Sequence, residues 1–190
     1  MANITAALVK ELRERTQAGM MDCKKALMEN DGDMDKAIDW LREKGLAQAA
    51  KKAGRIAAEG AVVQYITECG KVGAVVEVNC ETDFCAKSDL FVAFVKDVAQ
   101  AVLDNDVADV EALMNCKYPG SDLTVVDMQR EKVLTIGENM SIRRFERYEG
   151  DCVAYVHGGG RIGVLVAGET SVVNDEVKEA LKNVAMQVAA

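Results

Sequence analysis

From Val72 to Asn79 the chain alternates, with Val72, Ala74, Val76 and Val78 on one side and Gly73, Val75, Glu77 and Asn79 on the other. A period of two predicts a strand with one buried face. The alternation runs into a polar corner, Cys80-Glu81-Thr82-Asp83-Phe84, after which Phe91, Phe94, Val95, Val98 and Val102 recur at helical spacing and predict a helix over about 84–104. A corner between two such elements presents its side chains from a rigid base. Thr82 or Asp83 is placed to cap the incoming helix, and the apolar ring of Phe84 stands directly beside an acidic group.

Towards the N-terminus the period is helical. Asn3 is placed to cap a first helix carrying Ile4, Leu8 and Leu12 on one face and ending near Thr16–Gly19. Met20 and Met21 follow that break, and a second helix runs through Cys23, Ala26 and Leu27, with Met28 as a further core candidate, to Asn30. Asp31-Gly32-Asp33 reads as a turn with a cap, and Met34, Ala37, Ile38 and Leu41 mark a third helix expected to stop at Gly45. Residues 1–45 thus predict a three-helix bundle in which Trp40 and the Met20-Met21 pair are the large apolar groups. The two methionines suit core filling or an adaptable contact surface. Residues 46–59 are small and charged without an apolar face, and read as a linker.

Beyond Gly60 the chain repeats at an offset of 90 without a gap: Gly60/Gly150, Val63/Val153, Tyr65/Tyr155, Gly70/Gly160, Gly73/Gly163 and Val76/Val166 are identical. Phe91/Leu181 and Val98/Val188 carry the match into the following helix. Two hairpin-plus-helix halves are expected, 60–149 and 150–190, each hairpin turning at a glycine-containing tip. Between them lie a short piece near 107–114, a break at Tyr118-Pro119-Gly120, a helix over about 123–135, and a strand Met140–Tyr148 with Arg143, Arg144 and Arg147 expected to be exposed. The second half has no closing strand before Ala190, as in a naturally short chain or a piece of a longer one. The fold class is α+β, with antiparallel sheets in the core.

Composition narrows the chemistry. Net charge is −8, but residues 1–60 hold 11 Lys/Arg against 10 Asp/Glu, so the acidity belongs to the larger part. An acidic surface repels phosphate backbones and suits a basic patch on a protein, so nucleic acid is not expected as a direct ligand. No apolar run is long enough for a bilayer and the start lacks an export pattern, so no membrane is expected and the protein reads as cytoplasmic. Six cysteines without a C-x-x-C pair, and a single histidine, His157, support neither a zinc site nor a disulfide framework. Reduced, mostly buried thiols are expected. Gly158-Gly159-Gly160-Arg161-Ile162-Gly163 satisfies G-x-G-x-x-G, but a strand rather than a helix is expected after it, so it reads as a hairpin tip. His157-Gly158-Gly159-Gly160 resembles a hydrolase oxyanion loop without the G-x-S-x-G that would accompany it. No cofactor, metal or enzymatic constellation is expected.

A specific resemblance joins these pieces. Leu8–Thr16 (LVKELRERT), Gly19–Leu27 (GMMDCKKAL), Ala49–Gly54 (AAKKAG), Glu77–Phe84 (EVNCETDF), Ile136–Asn139 (IGEN) and Arg161–Val166 (RIGVLV) resemble, in order and across essentially the whole chain, the bacterial elongation factor Ts family. Those proteins exchange guanine nucleotide on elongation factor Tu. The resemblance implies a ubiquitin-associated-like (UBA-like) N-terminal bundle and two related α+β core halves. It implies that Thr82, Asp83, Phe84 and Cys85 dislodge Mg²⁺ from the partner's nucleotide site, and that Arg13, Met20, Met21 and Lys24 touch the partner's nucleotide-binding domain. Ile136 and Gly137 are further contacts to that domain, and His157 meets the partner elsewhere. A homodimer within a 2:2 complex is compatible with it. Cys85 stands where valine is more usual, and longer members continue past the equivalent of Ala190. Two rivals from other classes are an adaptor that binds ubiquitin-like folds through residues 1–45, and an enzyme using Asp83 and His157.

Overall fold

The computed structural model describes residues 4–16 and 18–190, and the expected Asn3 cap lies outside them. The chain divides into two compact units, Met1–Arg55 with Gln129–Asn139, and Ile56–Met128 with Met140–Ala190. No helix among the described residues is long and apolar enough to cross a membrane.

In the first unit, α1 (Ala6–Thr16), α2 (Met20–Glu29) and α3 (Met34–Lys52) bring Val9, Leu12, Cys23, Ala26, Leu27, Ala37 and Leu41 into one buried cluster. Each set recurs every three or four residues, so each helix offers one apolar stripe. Between α2 and α3 the backbone turns through left-handed Asp31 and Gly32, at φ 51° and 79°. The Asp33 carboxylate then accepts from the amides of Asp35 and Lys36, both at 3.1 Å, and starts α3.

The third helix does not stop at Gly45, and the expected linker is helical as far as Lys52. Leu46–Lys52 consists of strong helix formers, which propagate a helix once it exists. Gly45 itself is buried: a Cβ there would lie 3.5 Å from the Arg130 carbonyl oxygen and 3.6 Å from Leu134. Both neighbours come from α7 (Val125–Ile136), whose residues from Gln129 onward belong to this unit. There Leu134 packs on the helical core, Arg42 reaches Glu131 at 3.5 Å, and the Lys52 ammonium donates to the Gly137 carbonyl. Met28, a core candidate by spacing, is instead 61% exposed.

The second unit is built on a three-stranded antiparallel sheet, β1 (Glu59–Ile66), β2 (Val72–Cys80) and β3 (Met140–Glu149), in that order. Ala74, Val76, Val78 and Cys80 of β2 are fully buried, as alternation requires, and Phe91, Phe94, Val95, Val98 and Val102 of α5 (Asp89–Asp104) are buried with them. The helix expected over 84–104 is two: α4 (Asp83–Lys87) ends at Ser88, whose Oγ accepts from the Phe91 amide at 3.3 Å and opens α5. After α6 (Val110–Met114), Tyr118 stacks on Phe94 with ring centroids 6.2 Å apart and donates its hydroxyl to Asp97 at 2.6 Å.

A bulge corrects the expectation for β3. Glu77 pairs with Arg144 and Val78 with Ile142, leaving Arg143 as the extra residue. The inward parity therefore passes from Met140 and Ile142 to Phe145 and Arg147. Arg143 and Arg144 are exposed as expected. Arg147 is not: its side chain is largely covered and its guanidinium meets Glu149 at 3.0 Å and Asp106 at 3.7 Å.

The second hairpin, β4 (Asp151–His157) and β5 (Ile162–Gly168), is followed by α8 (Asp175–Ala189). Its relation to the first hairpin is reciprocal. The Val62 amide donates to the Gly160 carbonyl at 2.8 Å and the Cys152 amide donates to the Gly70 carbonyl at 2.9 Å. Val62 and Cys152 are repeat equivalents, as are Gly70 and Gly160, so an approximate two-fold axis relates the hairpins. The equivalent glycines 73 and 163 permit the contact: a Cβ on Gly73 would meet Leu165 and Cys152, and one on Gly163 would meet Val62 and Gln64.

Candidate functional site

The corner after β2 is fixed from both sides. Cys80, its last strand residue, pairs with Glu59 on β1 and Met140 on β3. Thr82 then takes extended geometry and its Oγ1 accepts from the Cys85 amide at 3.2 Å, so Thr82 rather than Asp83 caps α4. The Cys80 thiol donates to the Thr82 carbonyl at 3.3 Å, and Cys85, 4% exposed, anchors the short helix from below. Cys80 and Cys85 take the inward positions of the corner, and Phe84 between them is 84% exposed.

Asp83 sits at the first helical position, half-exposed, with its carboxylate accepting from the Lys87 ammonium at 2.8 Å. That hydrogen bond, with the charge of Lys87, holds its carboxyl below the usual carboxylate range, so Asp83 is an anion near neutrality. Lys87 was not among the residues expected at the site, although its i,i+4 spacing from Asp83 is a local signal. The corner therefore offers a solvated ring and a fixed negative charge on adjacent residues.

The remaining candidates fall on other elements. On α2, Met20 and Met21 are 55% and 75% exposed and Lys24 is exposed, so the methionine pair is surface rather than core filler. Met28 follows Met20 and Lys24 at four-residue steps and continues the same outward row. Arg13 is exposed on α1. At the end of α7, Ile136 is half-buried and Gly137 is exposed at φ 88°, ending the helix. His157 is exposed at the end of β4, its Nδ1 3.1 Å from the Tyr155 hydroxyl. The glycines after it, at φ 62°, 68° and 96°, form the turn into β5, so G-x-G-x-x-G is a hairpin tip here. None of the six cysteines is in a disulfide; Cys23, Cys80, Cys85 and Cys152 are buried, and Cys69 at the first tip is exposed.

Fold and site together define an α+β scaffold, helical unit plus repeated hairpin core, that displays apolar and charged side chains from capped, rigid corners. Residues 81–190 match the family model described as elongation factor TS. Over 190 residues the chain is 54% identical to the elongation factor Ts of Clostridium perfringens (strain SM101 / Type A), covering 98% of this chain and 62% of that protein. It is 56% identical over 191 residues to that of Clostridium kluyveri (strain ATCC 8527 / DSM 555 / NBRC 12016 / NCIMB 10680 / K1) and 51% identical over 190 to that of Clostridium botulinum (strain Eklund 17B / Type B), with the same coverage. The chain belongs to the elongation factor Ts family, and it spans 62% of the length of these curated relatives.

Proposed function

We propose that this chain binds elongation factor Tu carrying GDP and promotes GDP release, and so exchange for GTP, by displacing Mg²⁺ from the partner's nucleotide site. It acts without covalent chemistry of its own. The observation that carries this reading is the exposed Phe84 ring beside the Asp83 carboxylate, on a corner capped by Thr82 and anchored from inside by Cys80 and Cys85. A large apolar ring left in water is unfavourable, and burying it in a partner recovers about 1.5–3 kcal/mol. Spent against the partner's metal-bound state, that energy loosens the nucleotide, because the divalent ion is the main neutraliser of its phosphates. Linkage then requires bound nucleotide to weaken the grip of this chain by the same factor, so incoming GTP expels it.

In this reading the UBA-like N-terminal helices dock on the partner's nucleotide-binding domain through Arg13, Met20, Met21 and Lys24, with Ile136 and Gly137 beside them and His157 contacting the partner elsewhere. The exposure of Met20, Met21, Lys24, Arg13 and His157 supports those roles. The test is release of a fluorescent GDP analogue from purified elongation factor Tu. The parent chain accelerates release, and Phe84→Ala lowers the acceleration about tenfold or more, the equivalent of the ring's burial. Equal acceleration by the parent, Asp83→Ala and Phe84→Ala would remove the wedge from the mechanism.

A further inference from the structure

We propose that Cys80 and Cys85 form a redox-sensitive dithiol beneath the corner, closing to a disulfide that re-aims Phe84; the effect on nucleotide release rests on the function proposed above. The two Sγ atoms lie within 4.8 Å of each other, and neither cysteine is in a disulfide. A disulfide holds its sulfurs about 2.05 Å apart, so closure needs an approach of at most about 2.7 Å. The two ends are unequal in stiffness. Cys80 is laddered to β1 and β3, whereas Cys85 rides on a helix of five residues that ends at Ser88. The helix therefore does the moving.

Its movement acts on what holds the corner. The Cys80 thiol loses the proton it donates to the Thr82 carbonyl, and the Cys85 amide is drawn from the Thr82 hydroxyl that caps α4. Phe84, bonded directly to Cys85, turns with it. The reaction balances with a low-molecular-weight disulfide such as oxidised glutathione as oxidant. One protein thiolate attacks it, forming a mixed disulfide and releasing one glutathione thiolate. The second protein thiolate then attacks the protein sulfur of that mixed disulfide, forming the Cys80–Cys85 bond and expelling the second glutathione thiolate. Both cysteine protons end on the two glutathione thiolates, and one oxidised glutathione has been reduced to two thiols. Because both sulfurs are covered, the reaction proceeds through openings of α4 and runs slower than modification of exposed Cys69.

The chain is incubated with oxidised glutathione, quenched in acid, alkylated under denaturing conditions and digested with trypsin. Residues 72–87 form one tryptic peptide containing both cysteines, and Cys69 lies in the preceding peptide as an internal control. The expected product is a 72–87 peptide lighter by two hydrogens and free of alkyl groups, restored to double alkylation by dithiothreitol. A doubly alkylated or doubly glutathionylated peptide, with Cys69 fully modified, overturns the proposal. Amide exchange over residues 82–88 is expected to rise in the disulfide form, and unchanged exchange there overturns the movement whether or not the partner responds. In a Cys69→Ser background, oxidation lowers the acceleration of GDP release about tenfold and reversibly, as loss of the Phe84 contact would, while Cys69→Ser/Cys85→Val shows the same rate with and without oxidant. If the reduced parent fails to accelerate release, the exchange reading falls, and the mass and amide-exchange results still decide the dithiol.

Discussion

The reciprocal packing of the two hairpins makes Gly163→Ala a direct test of the core. The new methyl carbon would sit 2.5 Å from Gln64 Nε2 and in hard contact with Val62 Cγ1, with Val62 Cβ at 3.2 Å. Val62 is β-branched and fixed in β1, so it cannot swing aside. Overpacking of this kind costs about 1–3 kcal/mol. Displacing the Gln64 amide also breaks its 2.8 Å bond to the Tyr155 carbonyl, which adds about 1 kcal/mol. The repeat-equivalent change, Gly73→Ala, meets the flexible Cδ1 of Leu165 at 2.7 Å and Cys152 at 3.2 Å. It is expected to cost less, about 1–2 kcal/mol. Urea unfolding followed by near-UV tyrosine dichroism isolates the effect, because Tyr65, Tyr118, Tyr148 and Tyr155 all lie in the second unit while Trp40 lies in the first. The tyrosine midpoint should fall by the equivalent of about 2–4 kcal/mol with the slope unchanged. Adding Val62→Ala should return at least about 1 kcal/mol of that, as a double-mutant cycle for touching residues requires. A Gly163→Ala protein with the parent midpoint, or a Val62→Ala change that adds its full loss on top, would refute the interlocked arrangement.

Three further outcomes follow from single contacts. The Asp151 carboxylate accepts from the Lys71 ammonium and, at 2.9 Å, from the Thr170 hydroxyl, and these bonds, Lys71 first, hold its carboxyl below the usual range. A lowered carboxylate contributes stability above its unfolded value of about 4 that is lost as pH falls through the folded value, so Asp151→Asn should make stability fall less steeply with acidification below about pH 4. Thr82→Ala should cost about 1 kcal/mol by removing the α4 cap, and Thr82→Ser should retain most of it, as read by urea midpoints. Leu134→Ala, at a half-buried position on the helical core, should lower the Trp40-fluorescence midpoint by about 1–2 kcal/mol, less than a fully buried leucine would. An unchanged Trp40 transition would separate the end of α7 from that unit.

The parts of this protein that were legible in the sequence are those whose causes are local. Alternation from Val72 to Val78 specifies which face of β2 is buried, and the polar run after it specifies a corner. The offset of 90 by itself specifies two equivalent hairpins. Ser88 is a local signal of the same kind, a capping residue before Asp89, but in the sequence the longer apolar pattern of Phe91 to Val102 masks it. The family's elements were likewise readable, because short runs such as Glu77–Phe84 occur in order along the chain.

Tertiary structure decided what depends on partners distant along the chain. Gly45 read as a helix stop until Leu134, nearly ninety residues later, turned out to cover it. Arg147 read as a surface residue because alternation alone assigns a face, and one inserted residue at Arg143 reverses that assignment for everything beyond it. Phe84 is the sharpest case. Its neighbours specify a capped turn, but a phenylalanine beside a strand end is as compatible with burial as with display. Only the inward placement of Cys80 and Cys85 together leaves the ring facing water, because side-chain direction at a corner is set by which neighbours the core accepts.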